Sequence, residues 1–123
     1  MKQNPYLDLS KPCPVAASLN LINRKWSPML MHCLSQSTQQ FGEILRVLSP
    51  ISKKVLTDEL KRLVDAKLVM RKQCHNTVVT VEYSLSDKGK SLLPILESLT
   101  HWGLDNIEHN QLDLTYINKL NSG

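Results

Sequence analysis

The sequence predicts an α+β, mainly α domain, a winged helix-turn-helix with a β-hairpin wing. Three observations predict it. Apolar residues recur at helical spacing in four successive segments before residue 67. The period then changes to two over residues 68–72 and 78–85, and a long helical period resumes at 87. A short helix, a break at Ser49-Pro50 and a second helix with a basic outer face stand together, and the hairpin follows directly.

Residues 1–12 read as an extended arm, because Pro5, Pro12 and Pro14 disfavour a regular helix. Helical spacing starts near Val15 with Leu19 and Ile22. Ser27-Pro28 is a helix entry, with the serine capping and the proline in the first turn. Met29, Leu30, Cys33 and Leu34 then form an apolar stripe, and the polar stretch 35–40 reads as a loop. Residues 41–66 are the helix-turn-helix. Phe41 to Leu48 is its short first helix, Ser49-Pro50 ends that helix, and Ser52 caps the next one, which runs to about Ala66.

Residues 68–86 are the wing. Leu68 to Lys72 is one strand, Val78 to Leu85 the other, rich in β-branched residues and Tyr, and 73–77 is a polar tip. Ser86 caps a last long helix over 87–109, with Pro94 predicted to kink it or open its first turns. A short extra helix can follow through Leu114, Ile117 and Leu120. The whole chain, 1–123, reads as one domain.

Hydrophobic content of 41% and charged content of 21% are ordinary for a globular chain. No apolar run approaches the ~18 residues of a membrane span. The N-terminal stretch lacks the apolar core of a signal peptide, so a cytoplasmic protein is expected. Three irregularly spaced cysteines imply no disulfide framework. Net charge is +4, but residues 1–72 hold twelve Lys and Arg against five acids, a balance of +7. Residues 73–123 hold three against six, a balance of −3. Such asymmetry points to a polyanion-binding surface on the N-terminal part.

On the second helix of the pair, Leu56, Leu60, Leu63 and Val64 share one face, and Lys53, Lys54, Thr57 and Lys61 share the opposite one. Clustered cations match dense phosphate charge, and short polar side chains near a helix start can meet base edges in the major groove. The expected DNA-binding residues are Ser52, Lys53, Lys54, Thr57 and Lys61 on this helix, with His75, Asn76 and Thr77 at the wing. Arg24, Lys25 and Arg46 can flank them. The competing reading is a solvated face, with Asp58 and Glu59 weakening the positive field and Glu59 pairing with Arg62 along the helix.

Cys13-Pro14-Val15, Lys25-Trp26, Phe41-Gly42-Glu43-Ile44 and the run from Ile51 to Leu60 occur in an order that resembles the HxlR-type regulators, which are related to the MarR group. Leu68 to Arg71, Val81 to Ser86, Lys88-Gly89 and Trp102-Gly103 extend the resemblance, which covers roughly Cys13 to Gly103. It implies a bacterial-type transcription regulator that binds a pseudo-palindromic double-stranded DNA operator as a homodimer. It also implies that the first and last helices are the N- and C-terminal dimerisation helices. Lys54 matches a basic position of the family pattern and Thr57 its threonine. Cys13 matches a cysteine that the family often uses to sense oxidants or electrophiles. Two departures are Asn23-Arg24, where members often carry glycine, and Val78-Val79, where they often carry prolines.

Cys13 lies between prolines at a helix start, close to Lys11, and both features favour thiolate. Cys33 is expected in the core and Cys74 at the exposed wing. His32-Cys33 and Cys74-His75 lack the spacing of a structural zinc site. His32 and His101 are expected to be packed, each with one ring nitrogen hydrogen-bonded. No metal, cofactor or catalytic set is expected, since phosphate-loop and nucleophile-elbow motifs are missing. Two other readings stay open. One is a small-molecule effector held near the dimer helices by Trp26, Trp102 and Met31; the other is a winged-helix protein–protein module without DNA binding.

Overall fold

The computed structural model describes residues 8–114. Within them the order is α1 (Pro14–Ile22), α2 (Ser27–Gln36), β1 (Gln39–Gln40), α3 (Phe41–Val47), α4 (Lys53–Asp65), β2 (Val69–His75), β3 (Val79–Leu85) and α5 (Asp87–Asn106). A 3-10 turn, His109–Gln111, follows. The strands form one antiparallel sheet in the order β1-β3-β2. Val69 faces Leu85 at the base of the hairpin and His75 faces Val79 near its tip.

The core explains the architecture. The 3.6-residue period of α4 puts Leu56, Leu60 and Leu63 on one side, and all three are buried. They meet Leu30, Met31 and Leu34 of α2, Ile44 of α3, and Leu68, Val69 and Leu85 at the hairpin base. Each buried leucine contributes on the order of 2 kcal/mol before conformational entropy is charged against it. The basic face of α4 is left outward because its opposite face is committed to this core.

The caps fix where the helices start. Ser52 Oγ accepts from Val55 N at 3.1 Å and Ser86 Oγ accepts from Gly89 N at 3.0 Å. Glu43 Oε1 accepts from Gln40 N at 2.9 Å, closing the first turn of α3. α4 ends in a Schellman arrangement, in which Lys67 N donates to Val64 O and Leu68 N donates to Leu63 O. Lys67 adopts φ 64°, a left-handed position usually given to glycine.

Several expectations need correction. Ser35 and Gln36 belong to α2, and Gln39–Gln40 is a short strand rather than loop. It covers the outer edge of β3, pairing Gln39 with Tyr83, and so satisfies backbone groups that an open edge would leave unpaired. Ser27 does not cap α2, because Trp26 takes that position and Ser27 is buried inside the helix. The hairpin tip is 76–78, so Gln73, Cys74 and His75 are strand residues. The arm ends in a turn at residues 9–11, where Asp8 accepts from Ser10. That contact holds the Asp8 carboxyl below its ordinary range. α5 runs without interruption through Pro94 and stops at Asn106. Ile117 and Leu120 lie outside the described residues.

Candidate nucleic-acid interface

Ser52, Lys53, Lys54, Thr57 and Lys61 are all exposed, on the face of α4 that turns away from the core. Their local bonds define what each can still do. The Ser52 oxygen is taken by the cap on Val55 N, which leaves its hydroxyl proton free to donate. Thr57 Oγ1 donates to Lys53 O at 2.7 Å, so it meets a base edge as an acceptor or through its methyl group. Lys54 Nζ pairs with Asp58 Oδ2 at 3.3 Å, and both side chains are mostly exposed. Such a pair is worth only a few tenths of a kcal/mol, so a phosphate displaces Asp58 at little cost.

The acids near this face divide. Asp58 does lie on the outer surface. Glu59 does not, because it is buried and faces Arg62, Ser27 and Arg24. The expected Glu59–Arg62 pair is therefore present, but it sits away from the lysines and draws less on their field.

His75, Asn76 and Thr77 are exposed at the end of the hairpin. Between α4 and the sheet lies an open groove of about 350 Å³ lined by Phe41, Thr57, Leu60, Lys61, Val64, Arg71 and Tyr83. Arg71 faces Tyr83 across β2 and β3. It places a further exposed cation between the helix and the wing. Val55, at the start of α4, is an exposed apolar side chain on the same helix. Neither Arg71 nor Val55 was expected as a contact. The strand register would have put Arg71 on the helix-facing side of the hairpin; for Val55 the face pattern of α4 gave no signal. Of the expected flanking cations, Arg24 Nε is drawn to Glu59 Oε1 at 3.8 Å and Lys25 sits 5.1 Å over the Trp26 ring, while Arg46 is exposed at the end of α3.

The sequence matches the HxlR-like helix-turn-helix family over residues 21–111. The chain belongs to that family. It is 36% identical over 96 residues to the uncharacterised HTH-type transcriptional regulator YdzF of Bacillus subtilis, a match that spans 77% of this chain and 88% of YdzF. Among solved structures, reduced YodB of B. subtilis superposes with a TM-score of 0.74 at 28% identity, covering 80% of this chain and 97% of YodB. The redox regulator HypR in its reduced form gives 0.73 at 30% identity, covering 80% of this chain and 98% of HypR. The protein is a helix-turn-helix transcriptional regulator of winged-helix, MarR-like fold, and not an enzyme. No helix among the described residues is long and apolar enough to cross a membrane.

Cys13 occupies the N-cap of α1, exposed, with its Sγ accepting from Ala16 N at 3.5 Å. The neighbouring Lys11 is drawn toward Asp8 Oδ2, 3.9 Å away. Cys33 is buried and donates to Gln39 Oε1 at 3.5 Å. Burial pushes its thiol up to about 11, the Glu43 charge adds to the rise, and the Gln39 bond opposes it. Cys33 is therefore held as the neutral, poorly nucleophilic thiol at pH 8. In a maleimide titration of the folded protein, Cys33 should stay unmodified while Cys13 reacts; it should react only once denaturant is added. Cys33 labelling in the native state would contradict its placement.

Cys74 is half-buried in β2 opposite Thr80. His101 is exposed on α5, 3.9 Å from Glu97, and not packed as expected. The three residues expected to line an effector site are dispersed in their surroundings. Met31 is fully buried, Trp26 packs on the core, and Trp102 is exposed on α5.

Proposed function

We propose that this regulator is one winged-helix domain that reads double-stranded DNA as a homodimer on a pseudo-palindromic operator in the cytoplasm. α4 enters the major groove, with Ser52, Lys53, Lys54 and Thr57 near base edges and Lys53, Lys54 and Lys61 within reach of phosphate. His75, Asn76 and Thr77 meet the backbone or minor groove alongside, and Arg71 joins them. The observation that carries this reading is the division of α4. Leu56, Leu60 and Leu63 are sealed in the core, while every cation of the opposite face is exposed. Family membership supplies the context in which such a helix is a reading head.

The second copy is supported by the apolar side chains that α1 and α5 leave uncovered: Val15 and Leu19 on one, Ile95, Leu99 and Trp102 on the other. α5 and α1 are then the dimerisation helices. Cys13 is proposed as the trigger for an oxidant or electrophile. HypR is named a redox regulator, and YodB has been solved after diamide treatment. In this chain, a modified Cys13 loses its cap on Ala16 N and loosens the first turn of α1.

Fluorescence anisotropy with duplex from the gene's own upstream region tests the reading. Lys54→Ala should weaken binding about tenfold or more and flatten the slope of log affinity against log salt by about 2, one contact from each copy. An unchanged slope would remove Lys54 from the interface. Diamide should alter the wild-type affinity and leave Cys13→Ser unaffected. Equal responses from both would remove Cys13 as the trigger.

A further inference from the structure

Glu59 and Arg62 occupy a third face of α4, distinct from the core face and from the lysine face. The planar Arg62 guanidinium holds three elements at once. Nη1 donates to the Leu21 carbonyl of α1 at 2.8 Å. Nη2 donates to Ser27 Oγ of α2 at 2.6 Å and to Glu59 Oε2 at 3.0 Å, and Nε donates to Glu59 Oε1 at 3.3 Å. Ser27 Oγ in turn donates to Glu59 Oε2 at 3.0 Å. Arg24 Nε, from the loop between α1 and α2, approaches Glu59 Oε1 at 3.8 Å. Ser27 and Glu59 are buried, and Arg62 is largely so.

The Leu21 carbonyl belongs to the last turn of α1, whose carbonyls lack partners within the helix. That turn carries no cation of its own. Arg62 supplies one from another helix, which complements the negative end of the helix dipole. α1 needs this contact because Ile22 is its one buried residue among the nine. Leu21 beside it packs on the core, and the helix before Leu21 is mostly exposed. Its attachment is therefore concentrated at its C-terminal end, and that attachment is made directly to α4.

We propose that the Arg62–Glu59–Ser27 clasp is the joint that sets α4 relative to α1, which makes Arg62 a positioning residue for operator reading. This rests on the dimeric DNA-binding reading above. In a dimer built on α1 and α5, the spacing of the two reading helices depends on how α4 is fixed to the dimer-forming helices. A rigid, planar fork with bonds to α1, to α2 and along α4 fixes an angle; a single flexible ammonium does not. A loosened clasp still leaves the lysine face intact. Affinity for phosphate survives, and simultaneous fit to two half-sites is lost.

The test compares two duplexes of equal length, the upstream fragment that the wild type binds most tightly and a scrambled version. Arg62→Met, Arg62→Lys and Ser27→Ala are each measured on both, with the salt slope and the melting temperature. Arg62→Lys keeps the charge, and Ser27→Ala keeps the Arg62–Glu59 pair should Arg62→Met fail to fold. Both Arg62 variants should lose about tenfold or more on the specific duplex and about twofold or less on the scrambled one, with an unchanged slope. Ser27→Ala should move in the same direction by less. A lowered melting temperature with an unchanged specific-to-scrambled ratio would overturn the proposal, because the clasp would then only hold the fold together. Equal losses on both duplexes with a flatter slope in Arg62→Met alone would also overturn it, by making Arg62 a phosphate contact. A wild type that binds neither duplex would bring down the DNA-reading conclusion, and the clasp with it.

Discussion

Replacing Gly89 by alanine should lower the melting temperature by roughly 10 °C, equivalent to about 2–4 kcal/mol for a domain of this size. Helix propensity alone predicts the opposite, a gain of up to about 1 kcal/mol for Gly→Ala inside a helix. The local packing decides the sign. A Cβ on Gly89 would stand 2.2 Å from the Leu68 carbonyl oxygen, 3.2 Å from its carbon and 3.3 Å from Leu85 Cδ2. The carbonyl cannot swing aside freely, because it accepts from Ser86 N at 3.1 Å. Gly89 N is itself held by Ser86 Oγ, which also donates to Lys67 O at 2.6 Å. Relief requires lifting the first turn of α5 off the base of the wing. A thermal melt showing Gly89→Ala as stable as the parent would mean that α5 does not pack this closely on Leu68.

Leu99→Asp should convert the proposed dimer to a monomer and weaken binding to the proposed operator by about a hundredfold or more. Ile95, Leu99 and Trp102 follow one another at helical spacing on α5, and they remain 56%, 47% and 60% exposed while Leu92, Leu93 and Leu96 pack on the core. A carboxylate at position 99 is harmless to a solvated helix and costly inside an apolar contact between copies. Two half-sites held together bind as one unit, and a monomer loses that gain in effective concentration. Sedimentation velocity on the variant checks the first part and anisotropy the second. A variant that stays dimeric with parental affinity would place the contact elsewhere.

Much of the fold was legible because local rules and the core agree. Ser52 and Ser86 cap helices as their positions before apolar periodic runs require. The face of α4 with Leu56, Leu60 and Leu63 is buried as its period demands. Two of the misses have a common cause: long-range partners decided them. Gln39 and Gln40 have little strand preference of their own, and they form β1 because the edge of β3 lies beside them. Ser27 has every mark of a cap, but Glu59 and Arg62, more than thirty residues on, draw its hydroxyl inward. The end of α4 was legible as well: it was expected near Ala66 and falls at Asp65, although Lys67 rather than glycine takes the left-handed position beyond it.

For the interface, the α4 cations were readable from spacing, and the structure leaves them exposed. The separation of Asp58 from Glu59 follows from the same period: Glu59 stands three residues after Leu56 and four before Leu63, beside the core face, while Asp58 points outward. The partners that Glu59 meets there, Ser27 and Arg24, were not readable. The effector site drawn on Trp26, Met31 and Trp102 treated three apolar residues alike, whereas the core buries Met31 fully and leaves Trp102 in solvent.

The most direct test of the central claim is the salt dependence of binding to upstream duplex, wild type against a Lys53→Ala, Lys54→Ala, Lys61→Ala triple variant. All three lysines lie on the exposed face of α4, so the variant should fold as the parent does. Wild-type binding should be tight and fall linearly in log affinity with log salt, and the slope should be flatter by about 5 in the variant, which loses three cations from each of two copies. Wild-type binding that ignores salt, or a variant with the parental slope, would contradict α4 as the helix that reads DNA.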